Sequence, residues 1–282
     1  MQIVRQLDPL RNAVLRLRGD GAIALVPTMG ALHEGHLALV REARTCAEHV
    51  AVSIFVNPRQ FGPKEDLAKY PRQLEADCTL LKAEGVSLIW APDLETMYPG
   101  GYATTVSVGG VSEGLCGAVR PGHFDGVAAV VLKLFNQVRP NIALFGEKDW
   151  QQLAVIRCMA RDLDLTQPHV SAIRGVETVR EADGLALSSR NAYLSAEDRA
   201  NAAAFPREMR RALAAIRAGQ PVADALGALV AAMIAAGFAA VDYAQLCDAE
   251  TLVPLAAPGM APARLLAAAR IGGTRLIDNM PL

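Results

Sequence analysis

The chain has 282 residues, 52% of them hydrophobic and 20% charged, enough apolar material for a large core and too long for one small domain. A formal net charge of −1 argues against a broad nucleic-acid surface, which shows as a basic excess. The five cysteines are widely spaced and form no C-x-x-C pair, so they read as reduced thiols of a cytoplasmic protein.

The N-terminus lacks an apolar h-region, and no signal peptide is expected. Asp8-Pro9 reads as an N-cap followed by proline in the first turn of a helix reaching Arg18. Residues 21–26 are apolar without helical period, the pattern of a strand buried on both faces of a parallel sheet. Pro27-Thr28-Met29-Gly30-Ala31-Leu32-His33-Glu34-Gly35-His36 then leads into a helix whose apolar residues 37, 40 and 43 share one face. A strand, a glycine turn and a helix start together offer backbone N–H groups to phosphate. His33 and His36, three apart, point the same way on a first helical turn. The plainer alternative is a pair of surface histidines. A zinc-protease reading fails because position 37 is Leu where His-Glu-x-x-His needs its second histidine, and no Cys or His partners lie at ligand spacing. Neither a G-x-x-x-x-G-K-[ST] nor a G-x-G-x-x-G motif occurs in the chain.

A second buried strand is expected at 50–56, ending in the loop 57–63, where Gln60 offers donors and acceptors to a polar substrate or is simply solvated. A helix is expected over 73–84, closed by Gly85 and carrying Asp77, for which an exposed face is the default and a metal or hydroxyl partner the alternative. A third strand falls at 87–91, and 97–110 is more loop than element. The glycine-dense stretch 114–126 precedes an apolar helix at 127–138, with Arg120 and His123 at its mouth as a second anion site or, more plainly, part of a flexible connector. A fourth strand at 141–145 runs into Gly146-Glu147-Lys148-Asp149 and a helix through Arg161 bearing Gln151 and Gln152. Lys148 there can neutralise phosphate charge, and Asp149 can cap the helix.

A fifth strand is expected within 169–173. Beyond Gly175 come a polar loop at 179–191, alanine-rich helices at 196–218 and 221–236, and apolar runs at 239–246, 263–270 and 274–278. The uncharged run 225–241 is short for a membrane span and broken by Gly227 and Gly237, so a buried helix turning into a strand is expected. The fold expected is α/β: a Rossmann-like doubly wound parallel sheet over 1–178 and a smaller α+β C-terminal lid domain over 179–282.

Taken together, the stretches 27–36, 52–62, 120–126, 145–152 and 183–191 and the ending Arg275-Leu276-Ile277-Asp278-Asn279 resemble the pantoate–β-alanine ligase family, within the H-x-G-H nucleotidyltransferases. The similarity spans the chain and departs in one stretch, 163–177, which is a few residues longer than the family pattern. The resemblance implies that pantoate's carboxylate attacks the α-phosphate of ATP, and that β-alanine's amine then displaces AMP from pantoyl adenylate. It implies ATP contacts from Met29, Gly30, Ala31, Leu32, His33, Glu34, Gly35 and His36, with His36 as proton donor. Further nucleotide contacts are implied for Gly146, Glu147, Lys148, Asp149, Val179, Leu187, Ser188, Ser189 and Arg190. His33, His36 and Lys148 are the implied catalytic groups; Gln60, Gln152, Arg120 and His123 bind substrate, and Asp77 stands near Mg2+. Implied partners are ATP, pantoate and β-alanine, with no nucleic acid or membrane, and a homodimer. The rival enzyme reading is a nucleotidyltransferase adenylylating a phosphate-bearing substrate. A non-catalytic ATP-binding module would have no reason to keep Lys148, Gln152 and 188–190 together.

Overall fold

The computed structural model describes residues 1–63 and 65–282. The elements run β1 (Gln2–Val4), α1 (Leu7–Asp20), β2 (Ile23–Thr28), α2 (Glu34–Cys46), β3 (His49–Ile54), α3 (Leu74–Ala83), β4 (Leu88–Trp90) and α4 (Leu94–Met97). They continue through α5 (Cys116–Val119), α6 (His123–Val138), β5 (Ile142–Gly146), α7 (Trp150–Asp162) and β6 (Ile173–Val176). The last are α8 (Ala196–Ala202), α9 (Ala204–Arg217), α10 (Val222–Ala235), β7 (Ala240–Asp248), β8 (Ala263–Ile271) and β9 (Thr274–Pro281). Two compact units result: Met1–Gly109, Arg120–Glu147 and Val155–Glu177 form the first, and Gly110–Val119, Lys148–Ala154 and Thr178–Leu282 the second.

The first unit holds a six-stranded, all-parallel sheet of order β1-β4-β3-β2-β5-β6. The chain steps from β2 through β3 to β4, then crosses back to β5 and β6 on the other side of β2. Right-handed crossovers in opposite directions put α2 and α6 on opposite faces, which is why the strands read as continuous apolar runs. Ile23, Ala24, Leu25 and Val26 are wholly buried, as are Leu88, Ile89 and Trp90. The order reverses between β2 and β5, so a ligand crevice opens beyond their carboxyl ends.

Four differences from the sequence reading have a local cause. A short strand, β1, precedes the first helix; three residues, two of them exposed, carry no readable period. The N-cap position of α1 falls to Gln6, whose side chain makes no capping bond, and Asp8 sits in the first turn 3.2 Å from Arg11. Helix α6 starts at His123, because Gly122 takes a φ of 79° and turns the chain into it. Strand β6 begins at Ile173; residues 170–172 form a 3₁₀ turn whose Ser171 N–H donates to the His169 ring.

The second unit has an antiparallel sheet, β7-β8-β9, packed against α9 and α10 around Phe205, Met209, Met233, Leu265 and Ile271. The helix expected over 196–218 is two helices. Pro206 has no N–H and crowds the carbonyl four residues back, and α8 ends there, at Ala202. The run 225–241 is helix α10 turning into β7, and among the described residues no helix is long and apolar enough to cross a membrane.

Candidate active site

The loop leaving β2 is shaped by one buried carboxylate. Gly30 and Ala31 take φ of 81° and 52°, so the chain turns through two left-handed residues in succession. Successive backbone N–H groups in such a turn converge and favour an anion. That anion is Asp77 of α3: its Oδ2 accepts from Ala31 N at 3.0 Å and its Oδ1 from Leu32 N at 2.9 Å. A Cβ on residue 30 would stand 2.9 Å from Asp77 Oδ2, so glycine is required twice over there. The expectation of an exposed Asp77 is corrected, since it is 0% exposed. Each of its oxygens already accepts a backbone N–H, which ties the carboxylate to the loop. Among the described residues no three His, Cys, Asp or Glu are grouped to hold an ion.

His33 caps α2. Its Nδ1 accepts from Gly35 N at 3.1 Å, while His36 Nδ1 accepts from His33 N at 3.3 Å, a reciprocal capping box made by two imidazoles. A ring whose Nδ1 accepts carries its proton on Nε2 when neutral. The backbone therefore fixes both tautomers, and two Nε2–H donors stand on rings whose centroids are 4.2 Å apart at the positive end of a helix. Glu34, by contrast, pairs with Arg41 on the exposed side of α2.

Gln60 lies in a 3₁₀ turn, Pro58–Gln60, after β3. Its Oε1 accepts from Asn57 Nδ2 at 3.0 Å, which leaves its Nε2–H2 as the presented edge, 3.3 Å from Met29 Sδ. Asn57 is 1% exposed, gives its other N–H to Gly126 O at 3.0 Å, and accepts from the Tyr98 hydroxyl at 2.9 Å. Burial raises the Tyr98 hydroxyl's pKa, so it stays a donor. A Cβ at Gly126 would collide with the Arg59 carbonyl, so glycine lets α6 approach this turn. Arg120 and His123 also serve it: His123 Nδ1 lies 2.8 Å from Gln60 O, and Arg120 donates to the same oxygen at 3.2 Å. Arg120 further grips Glu65 through two bonds of 2.7 and 2.6 Å. Burial acts to raise the Glu65 pKa, but Arg120 outweighs it and holds the carboxyl below the usual range.

Strand β5 ends at Gly146, and a 3₁₀ turn, Glu147–Asp149, leads straight into α7. In the second unit, Lys148 Nζ is 4.0 Å from Asp149, and Gln152, half-buried, follows in the first turn of α7. Its neighbour Gln151 is 5% exposed and fully engaged: it accepts from Cys116 N at 2.9 Å and donates to Val111 O and Gly114 O at 2.9 and 2.8 Å. The loop 179–191 folds on itself, Leu187 N donating to Val179 O at 3.0 Å. Ser188 then caps the 3₁₀ turn Ser189–Tyr193. Arg199 of α8 binds Glu181 and Asp183 of that loop at 2.6 Å each.

Sequence reasoning passed over Asn57 and Tyr98 and gave Gln151 no role. The one signal for Asn57 is its place before Pro58, where an Asx residue caps a turn through Arg59 N. Tyr98 carries no local signal at all.

The model of the family described as pantoate-beta-alanine ligase matches residues 2–281. A pantothenate synthetase of Novosphingobium aromaticivorans is 66% identical over 99% of this chain and 98% of its own length. The crystal structure of pantothenate synthetase from Thermus thermophilus superposes with a TM-score of 0.92 at 48% identity, covering 99% of each chain. A pantoate-beta-alanine ligase from Francisella tularensis, solved with a beta-gamma ATP compound and beta-alanine, gives 0.84 at 32% identity over 100% of this chain and 97% of that one. On a full-length match of sequence and fold, the chain belongs to the pantoate–β-alanine ligase family.

Proposed function

We propose that the loop after β2 receives the phosphates of ATP and that Gln60 receives pantoate, so that these residues carry the family's AMP-forming ligation of pantoate to β-alanine. The observation that carries the reading is the imidazole capping box, which commits both Nδ1 atoms to the backbone and fixes the proton of each ring on Nε2. In the first step a pantoate carboxylate oxygen bonds to the α-phosphorus and the bond to the β-phosphate bridging oxygen breaks. Charge gathers on the departing diphosphate, where preorganised N–H donors act most strongly. His33 and His36 supply them, His36 passing a proton, and the Lys148 ammonium neutralises phosphate charge. In the second step β-alanine's amine bonds to the carbonyl carbon, the acyl–oxygen bond to AMP breaks, and the nitrogen loses a proton. Adenylation makes AMP the leaving group and divides one hard displacement into two easier ones.

Gln60 suits pantoate because its presented edge is an amide N–H2, a donor for a carboxylate or hydroxyl oxygen. Gln152 contributes a second amide. Asp77, Arg120 and His123 act through the loops they hold, and Gly146, Glu147, Val179, Leu187 and the Ser188–Arg190 segment border the nucleotide. Magnesium enters on the phosphates of ATP as part of the substrate. A cytoplasmic place accords with five free cysteines, and a homodimer with the family.

The rival, an enzyme adenylylating a phosphate-bearing acceptor, needs a cation for that phosphate. Arg120, the cation on Gln60's carbonyl, is already paired with Glu65. An AMP-release assay with ATP, pantoate and β-alanine, omitting each in turn, tests the reading. Labelled diphosphate should exchange into ATP with pantoate alone; exchange that strictly requires β-alanine refutes the two-step route.

A further inference from the structure

The ending Arg275-Leu276-Ile277-Asp278-Asn279 has no part in the reaction just described, yet two of its residues are among the few buried polar side chains of the second unit. Asp278 and Asn279 are 3% and 4% exposed. Neighbours on a strand point to opposite faces, so β9 can reach two segments at one level. Asp278 takes the loop at 180–184: Arg180 binds its two oxygens at 2.7 and 2.8 Å and also donates to Gly184 O at 3.0 Å. Asn279 takes the turn before α7. Its Nδ2 donates to the Lys148 carbonyl at 2.9 Å, and its Oδ1 accepts from Arg264 Nη1 at 2.6 Å.

The chain of contacts continues beyond Asn279. The Arg264 guanidinium lies 3.6 Å from the ring centre of Trp150, and Trp150 Nε1 donates to Ala249 O at 2.8 Å. Residue 148 is thus fixed on both sides, through its own carbonyl and through the first helical residue two places on. An amide is what this place requires, because it must accept from a guanidinium and donate to a carbonyl at once; aspartate, leucine or lysine can do at most one of the two. A half-buried carbonyl that loses its donor is left unsatisfied, and any backbone shift that finds it a new partner carries the attached side chain along.

We propose that Asn279 is a positioning residue for Lys148 in adenylation, holding the lysine's backbone so that its ammonium meets the developing phosphate charge. The proposal rests on the phosphate role given to Lys148 above. It differs from a merely structural role for a buried asparagine in one measurable respect: its effect must pass through the lysine.

The test is a double-mutant cycle on diphosphate exchange into ATP at saturating pantoate. Asn279→Asp keeps the acceptor for Arg264 and loses the donor to Lys148. It should lower kcat about tenfold while the KM for ATP stays within about twofold, as expected when an interaction matters in the transition state alone. In a Lys148→Ala background the same change should alter the remaining rate by less than about twofold. Asn279→Ser, uncharged and too short to reach the carbonyl, is run in parallel, so the cycle survives if the aspartate variant does not fold. An equal loss in both backgrounds, or no loss in either, overturns the proposal. Lys148→Ala with wild-type exchange refutes the role of the lysine itself, a result read from that variant alone.

Discussion

Replacing His36 by asparagine and by alanine separates the two jobs that the structure gives this side chain. Its Nδ1 accepts the His33 N–H at 3.3 Å, and its Nε2 carries the proton assigned to the reaction. Asparagine Oδ1 stands about where imidazole Nδ1 does, so His36→Asn keeps the cap and loses the donor; His36→Ala loses both. Cap loss costs roughly 0.5–2 kcal/mol, and a bond as long as 3.3 Å belongs at the low end. Over a chain of this length about 1 kcal/mol is a fall in Tm of roughly 2 °C, visible in a calorimeter. Losing one preorganised donor costs about 10²–10³ in rate, or about 2.7–4 kcal/mol of barrier. The two variants should therefore match each other in diphosphate exchange, both slowed on the order of 10²–10³-fold. Only the alanine variant should melt early. If His36→Asn exchanges diphosphate within about threefold of the native rate, the capping geometry and not the Nε2 proton is what the reaction needs, and the assignment of His36 fails.

Asp77→Asn should destabilise the fold by about 1.5–3 kcal/mol, because an amide N–H2 replaces an oxygen that accepts a buried N–H. The magnesium concentration for half-maximal activity should stay where it was, and a large rise would restore Asp77 as a metal ligand. Tyr98→Phe removes the hydroxyl that holds Asn57 and through it Gln60; the KM for pantoate should rise several-fold with that for ATP unchanged, and equal rises in both would detach Tyr98 from the pantoate site. Acid stability gives a further test. The hydrogen bond from Arg199 holds Asp183 below the usual aspartate range. A carboxyl with a depressed folded pKa contributes stability above its unfolded value and loses it as pH falls through the folded one. Thermal melts followed down through that range should fall less steeply for Arg199→Gln than for the native chain; parallel slopes would remove this pair from the acid response.

What the sequence made legible follows from how local each cause is. Buried strands at β2, β3, β4 and β5 announce themselves, since a strand covered on both faces needs apolar residues without interruption. The glycine turn and paired histidines after β2 are equally local, and their capping geometry is contained within four residues. Asp77 is the opposite case. Helix propensity and position suggest a solvated face, but its partners, Ala31 and Leu32, stand more than forty residues earlier in the chain. Gln151 and Gln152 show the limit most sharply: identical neighbours on one helix, one buried and bonded three times to the 111–116 segment, the other half-buried. Helix periodicity says that they face different ways, but not which way either faces. Arg120 and His123 were legible as a cationic cluster at a helix start, while Glu65, which claims the arginine, carries no mark of doing so.

Asp77, Asn57, Gln151 and Asn279 share a physical cause. A loop that must hold a ligand cannot be ordered by a helix or sheet ladder, yet its backbone groups still need partners wherever they are buried. Each of these four side chains supplies such partners: Asp77 two acceptors, Asn57 and Asn279 a donor to a carbonyl, Gln151 an acceptor and two donors. A side chain engaged in this way has little left for substrate, so it orders the site without touching the reacting atoms. His33, His36 and Gln60 form a second kind, in which one edge is committed to the protein and the chemistry of the other edge is set by that commitment. Asn57 makes Gln60 a donor, and two backbone N–H groups put the imidazole protons on Nε2. Substituting a residue of the first kind should thus act only through the groups that its loop presents, and lose its effect once those groups are removed. Substituting one of the second kind should disturb one substrate or one step, and that difference is open to measurement without any bound ligand in view.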